Sequence, residues 1–116
     1  MNNQEQQIQV TTQELERAIK LRNHLEKLMV NEDFKALVLD HILVNEPVRL
    51  TKVLGDPSIR ANQRAFDATV DELKALGLLD DNLRTIQQMG DAAEQKLNEY
   101  REAQAEGAFD DEEDEE

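Results

Sequence analysis

From Leu79 onward the residues Leu79, Leu83, Ile86, Gly90, Ala93, Leu97, Tyr100 and Gln104, small or apolar up to the last, recur at alternating steps of four and three. A 3.5-residue repeat keeps one stripe of a helix turned toward a second helix, so the spacing predicts a long amphipathic, coiled-coil-like helix over 80–104. Four shorter helices are predicted upstream. Thr11-Thr12-Gln13-Glu14 has the hydroxyl and following carboxylate of a capping box, which places a helix at 12–30 with Leu15, Ala18, Ile19, Leu25, Leu28 and Met29 on one face. Asn31, with Glu32 and Asp33 in the first turn, opens 32–44, where Phe34 to Val44 is the most continuously apolar run. A strand would suit its β-branched residues, but eleven residues without a turn signal favour a helix. Pro47 in a first turn marks 47–54, and Asp56-Pro57 restarts the chain into 58–76 with Ile59, Asn62, Phe66, Thr69, Leu73 and Leu76 in register. Gly77 suits a break before the last helix. Gly90, inside the heptad, costs up to about 1 kcal/mol against alanine and points to a kink or a close helix crossing.

The expected fold is therefore all-α: a small helical bundle with a long C-terminal amphipathic helix. The expected organisation is a flexible N-terminus at 1–11, a helical domain at 12–104 and a disordered acidic tail at 105–116. At 116 residues the chain has room for one domain. Its fifteen leucines can fill a core, but three Phe, one Tyr and no Trp leave few large anchors, so that core is aliphatic. The net charge of −13 is uneven, because seven consecutive carboxylates occupy Asp110 to Glu116 and a charged run of that kind does not join a packed core. No cysteine is present, which excludes disulfides, thiolate metal sites and Cys nucleophiles. The N-terminus has neither a basic start nor an apolar run, and no span approaches the roughly 18 to 20 apolar residues of a membrane helix. The expected location is a host cytoplasm or a particle assembled there.

Each candidate for chemistry lacks a specific requirement. His24 and His41 fall on different predicted helices, and neither has a Glu three positions before it, so the Glu-x-x-His unit of carboxylate-bridged metal bundles is missing. Ser58 is the only serine, and first-turn capping explains it. Gly55, Gly77, Gly90 and Gly107 are too dispersed for a phosphate loop. Carboxylate pairs such as Asp67 and Asp71 are unavoidable in so acidic a chain. These absences predict a non-enzymatic protein without a cofactor or metal.

Binding readings carry more. Ala65 to Leu79 superficially resembles the recognition-helix end of a winged helix-turn-helix, yet Asp67, Asp71 and Glu72 oppose a lone Lys74 where phosphates would lie. Direct nucleic-acid contact is not expected. Arg49, Lys52, Arg60 and Arg64 form the one locally basic region, able to pair within the fold, to receive the acidic tail or to face an acidic partner. The tail itself either solubilises the chain or competes for a basic surface, with Phe109 as an apolar anchor.

Glu14 to Ile19, Asn31 to Lys35 with the apolar run after it, Glu46 to Leu50, and Leu83 to Glu94 together resemble small acidic helical proteins of tailed bacteriophages, often encoded among virion-morphogenesis genes. The likeness spans roughly residues 12 to 100 in scattered short motifs, and it supplies no catalytic residue to carry over. The resemblance implies an accessory, scaffold-like or packaging-associated role in particle assembly. The expectation is docking to a phage structural or host protein, or to a second copy, through Leu83, Ile86, Leu97, Tyr100 and Phe109. The alternative expectation is an acidic, DNA-mimicking inhibitor of a nucleic-acid-binding protein.

Overall fold

Helix follows helix along the chain, and no strand occurs among the described residues. The computed structural model describes the backbone of residues 3–114 and the side chains of residues 11–107. The elements are α1 (Asn3–Met29), α2 (Glu32–Phe34), a π-helical segment π1 (Lys35–Asn45), α3 (Glu46–Leu54), α4 (Pro57–Arg60) and α5 (Gln63–Asp114). The all-α class read from the periodicity is the observed one.

Two of the expected caps are in place. Asn31 Oδ1 accepts the Phe34 N–H at 3.0 Å, and Asp56 Oδ1 accepts the Ser58 N–H at 2.9 Å ahead of Pro57. Each satisfies an amide that a helix start leaves without an internal partner.

Other boundaries differ, each for a local reason. α1 begins at Asn3, so Thr12 lies inside the helix and does not cap it. Asn45 does not open a new helix: it is right-handed helical, its side chain makes no capping bond, and π1 passes directly into α3. The helices expected at 58–76 and 80–104 are replaced by the short α4 and the single long α5, with Asn62 Oδ1 accepting the Ala65 N–H at 3.2 Å between them. Gly77 fails to break α5 because no glycine adopts positive φ and the apolar stripe continues past it through Leu76 and Leu83. An interior glycine costs about 1 kcal/mol, too little to end such a helix. The helices are described as far as Asn3 and Asp114, ranges that take in most of the 1–11 segment and of the acidic tail from 105. The side chains of 1–10 and 108–116 lie outside the described residues.

The chain divides into two units. In the first, Met1–His24 and Ile86–Glu116, α1 and α5 run antiparallel: Arg22 lies beside Asp91 and Glu94, Glu16 beside Leu97 and Arg101, and Thr12 beside Tyr100 and Gln104. Among its described residues Ala93 and Leu97 are the buried apolar ones.

The second unit, Leu25–Thr85, has Leu25, Leu50 and Thr69 as its buried side chains, and the Thr69 hydroxyl donates to the Ala65 carbonyl at 2.9 Å. Within it, π1 carries hydrogen bonds five residues back, seen where the Glu46 N–H donates to the His41 carbonyl. Burial there alternates two by two. Val38-Leu39, Ile42-Leu43 and Glu46-Pro47 are half-buried, while Asp40-His41, Val44-Asn45 and Val48-Arg49 are exposed. In an α-helix, positions four apart drift about 40° around the axis at each step. The wider turn of π1 opposes that drift, and both members of Val38-Leu39 and of Ile42-Leu43 stay half-buried.

Gly77 offers a direct test of the long helix. A Cβ added there meets nothing within 4 Å. Gly77→Ala is expected to stabilise the protein by about 0.5–1 kcal/mol in urea denaturation, as a glycine in an uninterrupted helix interior should.

Candidate functional site

The best-defined side-chain cluster lies where α1 and α5 meet in the first unit. Arg22 falls on the apolar stripe of α1, three residues after Ile19, and is only 6% exposed. Its Nη1 donates to Asp91 Oδ1 at 3.0 Å and to Glu94 Oε2 at 2.9 Å, while Nε and Nη2 donate to Asn23 Oδ1 at 3.3 and 3.0 Å. The Gln87 amide donates to Asp91 Oδ1 at 3.2 Å and holds that carboxylate from the preceding turn. A guanidinium presents its donors in a planar fork, so carboxylates one turn apart on one helix can share it. No buried side-chain nitrogen or oxygen among the described residues lacks a partner.

Gly90 makes this geometry attainable. A Cβ on Gly90 would overlap Arg22 Cβ, and Cγ and Cδ would be 2.8 Å away. The backbone there is ordinary right-handed helix, so the requirement is for absent volume and not for unusual φ. The sequence reading of Gly90 as a close crossing is what the structure places there. Arg22 was not singled out, although its three-residue spacing from both Ile19 and Leu25 was the available signal.

The residues expected to bind a partner are dispersed. Ile86 and Tyr100 are half-buried and Leu97 is buried in the first unit, where α1 of the same chain fills the seam. The repeat suits either an intramolecular seam or pairing with another chain, and in this unit the antiparallel α1 lies along it. Leu83 is half-buried in the second unit, and Phe109 lies outside the described side chains.

Exposed apolar residues occur in both units, Leu21 and Met89 in the first, Val30 and Leu78 among those of the second. In the second unit Leu37 is 63%, Val44 55% and Val48 52% exposed, all on the outward pairs of π1 and α3. Beside them Glu46 accepts from Arg49, with Nη2 to Oε2 at 2.7 Å, and His41 Nε2 stands 3.8 Å from Glu46 Oε1. The result is an outward helical face on which Leu37, Val44 and Val48 stand among Asp40, His41 and Asn45, with Arg49 and Lys52 toward its C-terminal end.

Ser58, the one candidate nucleophile, has a structural role. The Ser58 hydroxyl donates to Asp56 Oδ1 at 2.8 Å, as part of the α4 cap. Among the described residues no group of three or more His, Asp or Glu is arranged to hold a metal, and no helix is long and apolar enough to cross a membrane. No family model, curated protein or solved structure matches the chain.

Two measurements test these assignments. Gly90→Ala is expected to destabilise by about 1–3 kcal/mol, opposite in sign to Gly77→Ala, because the clash reaches the root of the Arg22 side chain and α1 itself must shift. The second concerns acid. The Arg49 hydrogen bonds hold Glu46 below the usual carboxylate range, and the Ser58 N–H and hydroxyl do the same for Asp56. Such groups bind fewer protons folded than unfolded, so their stabilisation is present above the ordinary carboxylate pKa and is lost as the pH falls through the lowered folded value. Glu46→Gln and Asp56→Asn should each flatten the fall of the urea midpoint on the acid side.

Proposed function

We propose that this chain is a non-enzymatic helical docking protein that binds a protein partner during the assembly of a tailed-phage particle. The observation that carries the docking part is the outward row Leu37, Val44 and Val48, three large aliphatic side chains more than half exposed on one helical run. Single exposed apolar residues are ordinary on protein surfaces; several on one face mark a contact region. A π-helical segment adds to this, because i→i+5 turns accompany functional sites more often than their rarity would suggest. The partner would lay an apolar helix or strand edge against the row, with its own acidic groups toward Arg49 and Lys52. The resemblance of four short motifs to phage morphogenesis proteins supplies the biological setting.

The test follows the chain through infection. A tagged chain should co-sediment with particle intermediates in a gradient, and Val44→Asp with Val48→Asp should remain at the top while its circular dichroism spectrum stays helical. A wild-type chain that never enters those fractions overturns the assembly role. Binding that survives both substitutions, weakens steeply with salt and is lost on deleting Asp110 to Glu116 would instead support an acidic mimic of nucleic acid.

A further inference from the structure

A groove of about 230 Å³ runs along one flank of the α1–α5 seam in the first unit, with Ile19 and Leu97 at its floor and Glu16, Lys20, Glu94 and Arg101 on its rim. It continues into a second hollow of about 420 Å³ that shares Glu16, Leu97 and Arg101. Among the described residues of the unit the buried apolar side chains are Ala93 and Leu97, so the seam between the two helices is narrow. Helical hairpins of this kind complete a core by packing face to face as four helices.

The rim charges say which occupant fits. On α1 Glu16 precedes Lys20 by one turn, and on α5 Glu94 precedes Arg101 by two. Because the helices are antiparallel, Glu16 and Arg101 share one end of the groove and Lys20 and Glu94 the other. Glu94 is engaged by Arg22, whereas Glu16, Lys20 and Arg101 make no ion pair with another described residue. Both ends thus carry one charge of each sign, in reversed order.

We infer that this groove is the interface of a two-fold dimer in which the first units of two copies pack face to face. With the axis in the interface and perpendicular to the helices, α1 lies antiparallel on α1 and α5 on α5. The rotation exchanges the two ends of the groove, so Glu16 of each copy meets Lys20 of the other and Arg101 meets Glu94. A closed isologous contact needs this kind of self-complementarity, and opposite signs across the rim set the register while the half-buried Ile19 supplies apolar surface between them. The interface is separate from the Leu37, Val44 and Val48 row, so either assignment can fail without the other.

Analytical ultracentrifugation of the full chain, with circular dichroism as the check on folding, tests the arrangement. The wild type is expected to be a dimer whose dissociation constant rises roughly tenfold or more in Glu16→Lys and again in Lys20→Glu, each of which sets like charges opposite one another. The double variant, Glu16→Lys with Lys20→Glu, should recover the wild-type constant. A wild-type monomer at high micromolar concentration overturns the inference. So does a dimer insensitive to all three variants, or a double variant weaker than either single one.

Discussion

Close approach of α1 to α5 depends on one exchange of volume: Gly90 contributes no side chain, and the stem of Arg22 occupies the space. That exchange turns an otherwise unfavourable residue on an apolar stripe into a fixed contact, because the guanidinium then reaches Asp91 and Glu94 from a nearly dry position. Net stabilisation from such a pair is modest, since burying a cation is costly and both carboxylates remain more than half exposed. Its effect is on specificity. A helix slid by one turn would set Arg22 against a side chain where it now meets a glycine, and would strand its charge away from both acids.

The remaining packing is shallow. Among the described residues no side chain is fully enclosed, and the buried apolar set is Leu25, Leu50, Ala93 and Leu97. Most of the aliphatic content is half-covered, one helix face at a time, which is how two-helix and three-helix contacts differ from a closed core. Helix formation is therefore supported by local chemistry as much as by tertiary burial: the Asn31 and Asp56 caps, the Glu46–Arg49 pair and the Asp80–Arg84 pair at 3.0 Å each act within a turn or two of sequence. Such contacts are individually weak. They explain why the chain is so uniformly helical while leaving aliphatic surface open to other molecules.

Legibility in the sequence followed the range of the interaction. Caps were readable because Asn31 and Asp56 act on amides two or three residues ahead, and Gly90 was readable because an interior glycine has a known cost that needs a compensating contact. Gly77 misled for the complementary reason: its cost is the same, but nothing beside it required the missing volume, and a glycine alone does not end a helix. Arg22 was passed over because charge suggests solvent, although its position on the stripe did not. The seam through Leu97 and Tyr100 was recognised as a docking surface, while its occupant, the N-terminal helix of the same chain, depended on a pairing more than seventy residues apart in sequence. No local pattern encodes that pairing.

The π1 segment makes chain length matter as well as composition. Its five-back bonding accommodates extra residue per turn relative to the α-helices on either side. Excising a single residue from it without a compensating change in the ladder would turn everything downstream in α3 by one residue's rotation, about 100° in an α-helix. Leu50 would then swing out of the interior and Thr51, exposed in the native chain, would turn into its place. Indels in this stretch should accordingly be tolerated far less well than substitutions.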